Sequence, residues 1–83
     1  MYEVYLTKSA NKALKSLKGE IKERVRETIR KLGNFPVELD VKKLKGTKNK
    51  YRVRVGDYRI LIELQKNIIV VIDILPRKVA YRK

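Results

Sequence analysis

The sequence predicts an α+β fold in the order β-α-α-β-β-β, a helical hairpin packed on one face of a mainly antiparallel four-stranded sheet. Two helix-period stripes occupy residues 10–32. A two-residue alternation runs from Tyr51 to Leu64. Ile68 to Leu75 is apolar except at Asp73, the pattern of a central strand covered on both faces.

The opening Tyr2-Glu3-Val4-Tyr5-Leu6 is β-prone and puts Tyr2, Val4 and Leu6 on one face. Thr7 or Ser9 caps the helix that follows. Ala10, Ala13, Leu14 and Leu17 fall at i, i+3, i+4 and i+7 in it. Gly19 is expected to lie just past its end. A second stripe joins Ile21, Val25, Ile29 (or Thr28) and Leu32, with Lys22, Glu23, Arg24, Arg26, Glu27, Arg30 and Lys31 on the other faces. Gly33, Asn34 and Pro36 stop it, so two amphipathic helices share a short connection. Residues 45–50 read as a basic turn. Tyr51, Val53 and Val55 then alternate with Arg52 and Arg54, Gly56-Asp57 supplies a hairpin turn, and Tyr58, Ile60, Ile62 and Leu64 alternate with Arg59, Leu61 and Glu63. Lys66-Asn67 forms another turn, and Pro76 closes the last strand.

Eighty-three residues suit one domain, 1–83, with a thin core. Its 22 Lys and Arg outnumber 9 Asp and Glu, giving a net charge of +13. Both halves share the excess: nine basic against four acidic residues over 1–35, thirteen against five over 36–83. The charge is thus built into the fold, and a nucleic acid, an anionic membrane or an acidic protein would each answer it. Ion-pair networks for thermal stability need both signs, which the imbalance disfavours. Cysteine and histidine are absent, which excludes disulfides, thiolate chemistry, histidine-based triads and the usual zinc ligands, so no metal or cofactor is expected. The longest apolar run is too short to span a bilayer and the N-terminus lacks a signal core, so a cytoplasmic location without membrane contact is expected.

Register arithmetic then sorts the arginines. A two-residue turn at Gly56-Asp57 pairs Val55 with Tyr58 and sets Arg54 opposite Arg59, with Arg52 on the same face. A tight turn at Lys66-Asn67 brings the end of the last strand beside Tyr58-Arg59, so Arg77 joins them at one rim. Opposed like charges are unfavourable, and four guanidinium groups without a local carboxylate suit phosphate oxygens. The plainer reading is a solvated sheet face whose arginines serve solubility and edge protection. Tyr81, four residues past Arg77, can supply a ring or a hydroxyl, or can pack on the sheet. Lys45, Lys48, Lys50, Lys78 and Arg82 are candidate RNA contacts, and Lys42 and Lys43 steer phosphate or are simply solvated. Asp73 is expected to pair with a neighbouring Arg or Lys near the strand's exposed end.

Leu44-Lys45-Gly46 together with Tyr51-Arg52-Val53-Arg54-Val55-Gly56-Asp57-Tyr58-Arg59-Ile60 resembles the central signature of the RelE/ParE toxin superfamily. Pro76-Arg77-Lys78-Val79-Ala80-Tyr81 is similar to its C-terminal Arg-x-x-x-Tyr segment. The resemblance implies a type II toxin held by a cognate acidic antitoxin. For the RelE branch it implies a metal-independent endoribonuclease that cuts messenger in the ribosomal A site, by attack of a ribose 2′-hydroxyl on the adjacent phosphate. The catalytic set carried over is Arg52, Arg54, Arg59, Arg77 and Tyr81. Two departures stand out: arginines replace the lysines of the best-known pattern at 52 and 54, and Ile62 stands where many relatives have an aromatic residue. An arginine holds its proton and acts on charge, so proton transfer falls to Tyr81, an rRNA group or solvent. The alternatives are a ParE-like gyrase inhibitor without nuclease activity, and a non-toxic basic RNA- or DNA-binding module.

Overall fold

The computed structural model describes residues 1–78. Its elements are β1 (Glu3–Leu6), α1 (Lys8–Ser16), α2 (Gly19–Lys31), a 3-10 turn (Leu32–Asn34), β2 (Val41–Lys43), β3 (Lys50–Val55), β4 (Tyr58–Gln65) and β5 (Ile68–Pro76). The sheet has five strands in the order β1-β5-β4-β3-β2, and β1 runs parallel to β5 while the other pairs are antiparallel. The expectation of four strands is corrected by β2. Only three residues long, it has no room for a visible alternation and is set by pairing Val41 with Val53 and Lys43 with Tyr51.

Thr7 caps α1, its side chain accepting from the Ala10 N–H at 3.1 Å. Gly19, expected beyond α1, instead opens α2 with φ +66, a left-handed turn between the helices that a side chain would strain. Both helices lay their apolar stripes on one face of the sheet. Ala10, Val25 and Leu32 meet Val53, Ile60, Ile62, Ile69 and Val71, and all eight are fully buried. Each large apolar side chain in this set contributes about 1.5–3 kcal/mol by leaving water.

β5 departs from the expectation of a strand covered on both faces. Ile69, Val71 and Ile74 are buried, while Ile68, Val70 and Leu75 are only half-buried. The spacing from Val71 to Ile74 breaks the two-residue alternation because the register slips there: Ile62 pairs with Val71 and Leu61 with Asp73, leaving Ile72 as the extra residue of a β-bulge. Thr7 fastens this bulge, its N–H donating to the Val71 carbonyl at 3.0 Å and its hydroxyl to the Ile72 carbonyl at 2.7 Å. Asp73 Oδ1 accepts from the Ile74 N–H at 2.9 Å and from the Ser9 hydroxyl at 3.2 Å. Asp73 is thus a bulge residue that forms no ion pair among the described residues, against the expected pairing with Arg or Lys.

Candidate nucleic-acid interface on the open sheet face

With the helices on one face, strand parity sends the side chains of Arg52, Arg54, Arg59, Leu61 and Glu63 to the other. The hairpin register is the expected one: Val55 pairs with Tyr58, Arg54 with Arg59 and Arg52 with Leu61. Gly56, at φ +55, takes the first corner of the two-residue turn, where glycine is favoured. Because Val55 and Tyr58 close the turn, Arg54 and Arg59 form the next, non-hydrogen-bonded pair. Their Cα atoms then lie about 4.5 Å apart, with side chains at their closest.

β2 adds a cation that hairpin arithmetic alone does not find. Lys42 pairs with Arg52, so one row across the sheet reads Lys42, Arg52, Leu61, and the next reads Arg54, Arg59, Leu75. Arg77 follows β5, and its N–H donates to the Asp57 carbonyl, drawing its backbone to the same rim as the β3–β4 turn. Arg77 and Lys78 are exposed there. The structure thus brings Arg52, Arg54, Arg59 and the Arg77 backbone to one end of the open face. It does not bring Lys45, Lys48 and Lys50 with them. Lys45 and Lys48 lie in the β2–β3 connection, and Lys50 begins β3 opposite Glu63, about 13 Å of strand away from Arg54. Tyr81 and Arg82 lie outside the described residues.

Among the described residues the ion pairs are Arg30 with Glu27 and Lys31 with Glu38, so none of these arginines meets a carboxylate. Arg52 is half-buried, and its Nη1 is buried with no acceptor among the described residues. A guanidinium N–H left dry and unpaired costs about 1–3 kcal/mol, which an incoming oxygen would recover. Leu61, only 7% exposed, is buried on this polar face outside the main core. A leucine at a position that alternation assigns to the open face was the sequence signal for that apolar floor beside Arg52.

Toward α2 the arginine face meets an open groove of about 700 Å³ lined by both signs, Glu20, Glu23, Glu27 and Asp40 beside Arg24, Arg30, Lys31 and Arg54. Among the described tyrosines, Tyr2, Tyr51 and Tyr58 pack against the helix-side core. Tyr5 stands on the open face, where its hydroxyl donates to Glu3 at 2.8 Å, and that hydrogen bond and the Glu3 charge raise its pKa above the ordinary phenol value.

The chain thus sets a helical hairpin on one face of a mixed sheet and, on the other, an arginine hairpin without a carboxylate partner among the described residues. The family model for the ParE toxin of type II toxin-antitoxin systems matches residues 4–81. Toxin RelE3 of Methanocaldococcus jannaschii is 39% identical over 83 aligned residues, covering 95% of this chain and 94% of the relative. The toxin in the RelB-RelE antitoxin-toxin complex of Methanococcus jannaschii superposes with a TM-score of 0.79 at 38% identity, covering 89% of this chain and 91% of that one. In the archaeal RelE-RelB complex of Pyrococcus horikoshii the values are 0.80 and 35%, over 95% and 98%. The chain belongs to the RelE/ParE superfamily of type II toxins, on its RelE-like branch.

Proposed function

We propose that the chain is a ribosome-dependent messenger endonuclease that inhibits translation and is neutralised by a cognate acidic antitoxin. The observation that carries this reading is the Arg54–Arg59 pair, opposed across the hairpin with no carboxylate partner among the described residues. Such a pair is unfavourable in the free protein and becomes favourable once a phosphate lies between the two guanidinium groups.

In the proposed reaction the ribose 2′-oxygen bonds to the adjacent phosphorus, the bond from phosphorus to the leaving 5′-oxygen breaks, and a cyclic phosphate remains. The 2′-hydroxyl loses a proton and the 5′-oxygen gains one. Arg54 and Arg59 hold the non-bridging oxygens and stabilise the charge that grows on them. Arg52 directs its buried N–H to an oxygen of the same or the neighbouring phosphate. Arg77 closes the rim, and Tyr81 is assigned the proton that the arginines cannot move. Lys45 and Lys48 in the β2–β3 connection and Lys50 at the start of β3 act on flanking phosphates, as do Lys78 and Arg82 near the C-terminus. This assignment also accounts for a site built without histidine.

The solved relatives from Methanococcus jannaschii and Pyrococcus horikoshii are antitoxin-toxin complexes, which supports a RelB-like partner for this chain. The test is cell-free translation in a compatible extract, with primer extension on the message. Cuts within A-site codons are expected, together with their loss when Arg59→Ala and Arg77→Ala are combined. Inhibition without cuts, or full activity of the double variant, would overturn the reading. One observation favours a second reading: the matching family model is that of ParE. A gyrase-directed inhibitor would produce gyrase-dependent DNA breaks and leave messenger intact.

A further inference from the structure

Two pairs of cations oppose each other across strands of the open face. Arg54 opposes Arg59 across β3 and β4, and Lys42 opposes Arg52 across β2 and β3. Arg52 and Arg54 alternate on β3, so the two pairs sit about 6.6 Å apart along the strand. That is close to the step between successive phosphates of an extended single strand, the backbone that a cationic groove tracks. Lys42 is exposed and makes no ion pair among the described residues. Arg52 Nη1 has no acceptor among them. β2 gives this face no second cation. The parity that places Lys42 there places Asp40 before it, its carbonyl accepting from the Arg54 N–H at 2.9 Å, and Leu44 after it.

A lysine on a short edge strand has a plainer use, which is to keep the edge from pairing with another chain. Lys43 separates the two explanations. It follows Lys42 on β2, is also exposed, and pairs with Tyr51, whose ring packs against the helix-side core. Strand parity turns Lys43 away from Arg52, whereas edge protection would not distinguish the two lysines. We infer that Lys42 and Arg52 form a second phosphate subsite, which holds the messenger phosphate next to the scissile one. The inference rests on the nuclease reading above. Lys42 is a binding residue in it and moves no proton: its contact sets the register of the strand, so that the scissile phosphate falls between Arg54 and Arg59.

The probe is a 2′-O-methyl trinucleotide, which has two phosphates and no 2′-hydroxyl to attack either. Its binding to the full chain is followed by NMR chemical-shift titration at low salt. Two analogues, each with one linkage made an uncharged methylphosphonate, are titrated beside it. Lys42→Gln is expected to weaken trinucleotide binding about fivefold, the loss of one exposed charge pair. The slope of log affinity against log salt should fall by about 0.7. Lys43→Gln should stay within about twofold of wild type and keep the slope. Either analogue leaves one phosphate for Arg54–Arg59, so wild type and Lys42→Gln should bind it equally. Lys42→Arg should restore the trinucleotide affinity. Equal losses from Lys42→Gln and Lys43→Gln, or a loss on the analogues as large as on the trinucleotide, would overturn the proposal. So would wild-type binding that is absent or gains nothing from the second phosphate. On translating ribosomes, Lys42→Gln should raise KM for messenger cleavage about fivefold, with a smaller effect on kcat. A protein that shows this binding pattern but cuts nothing would refute the nuclease reading and leave the subsite standing.

Discussion

Replacing Arg59 by Met should make the protein more stable and less active at once. Methionine keeps an unbranched chain over the half-buried position while removing the charge opposed to Arg54. With guanidinium groups about 6 Å apart in a water-like dielectric, their repulsion is roughly 0.7 kcal/mol, within the range measured for directly opposed side chains. Neither arginine has a carboxylate partner among the described residues to offset this, so the gain should be about 0.5–1 kcal/mol. In a domain of this size that is a rise of about 3–6 °C in Tm. Salt supplies the control: the difference should shrink between about 0.05 and 0.5 M, as screening shortens the range of the repulsion. The assay pairs thermal melts at both salt concentrations with cleavage rates on translating ribosomes, where the loss should be about 100-fold. A variant that is less stable than wild type at low salt would refute the reasoning, because Arg59 would then be a structural residue and the opposed pair no strain awaiting a phosphate.

Other outcomes follow from individual contacts. Thr7→Ala removes both the α1 cap and the hydroxyl bond to the Ile72 carbonyl, and should cost about 1–2 kcal/mol in urea denaturation, more than Ser9→Ala. Gly56→Ala should cost about 1–2 kcal/mol, because its φ is +55 and an added Cβ would lie 3.1 Å from Arg24 Nη1. Arg52→Met, which removes a buried N–H without an acceptor, should leave stability unchanged or raised in the same titration while lowering cleavage by at least about tenfold.

The hairpin was legible because two local signals agree. Gly56-Asp57 defines the loop, alternation defines the faces, and together they fix Arg54 against Arg59 without any knowledge of the rest of the chain. The helical hairpin was legible from its stripes for the same reason. Features that depend on distant pairing were not. β2 is three residues long and exists through β3, so its cation Lys42 could not be placed beside Arg52. The bulge at Ile72 depends on Thr7, 65 residues away in sequence, and without it Asp73 reads as an acid in search of a cation. Gly19 was assigned to the end of one helix when its left-handed φ serves the start of the next. The lysines of residues 45–50 looked continuous with the arginines in sequence, and strand length separates them in space.

The proposed nuclease activity requires an arginine face that holds a phosphate while a ribose hydroxyl attacks it. It is tested most directly by mapping the ends of a messenger stalled on ribosomes, with either ribose or 2′-deoxyribose at the A-site nucleotide 5′ to the cut. The account predicts that the ribose message is cut within the A-site codon to leave a cyclic phosphate, and that the deoxy message stays whole with the protein bound. Cleavage of the deoxy message at the same rate, or translation arrest with both messages intact, would contradict it.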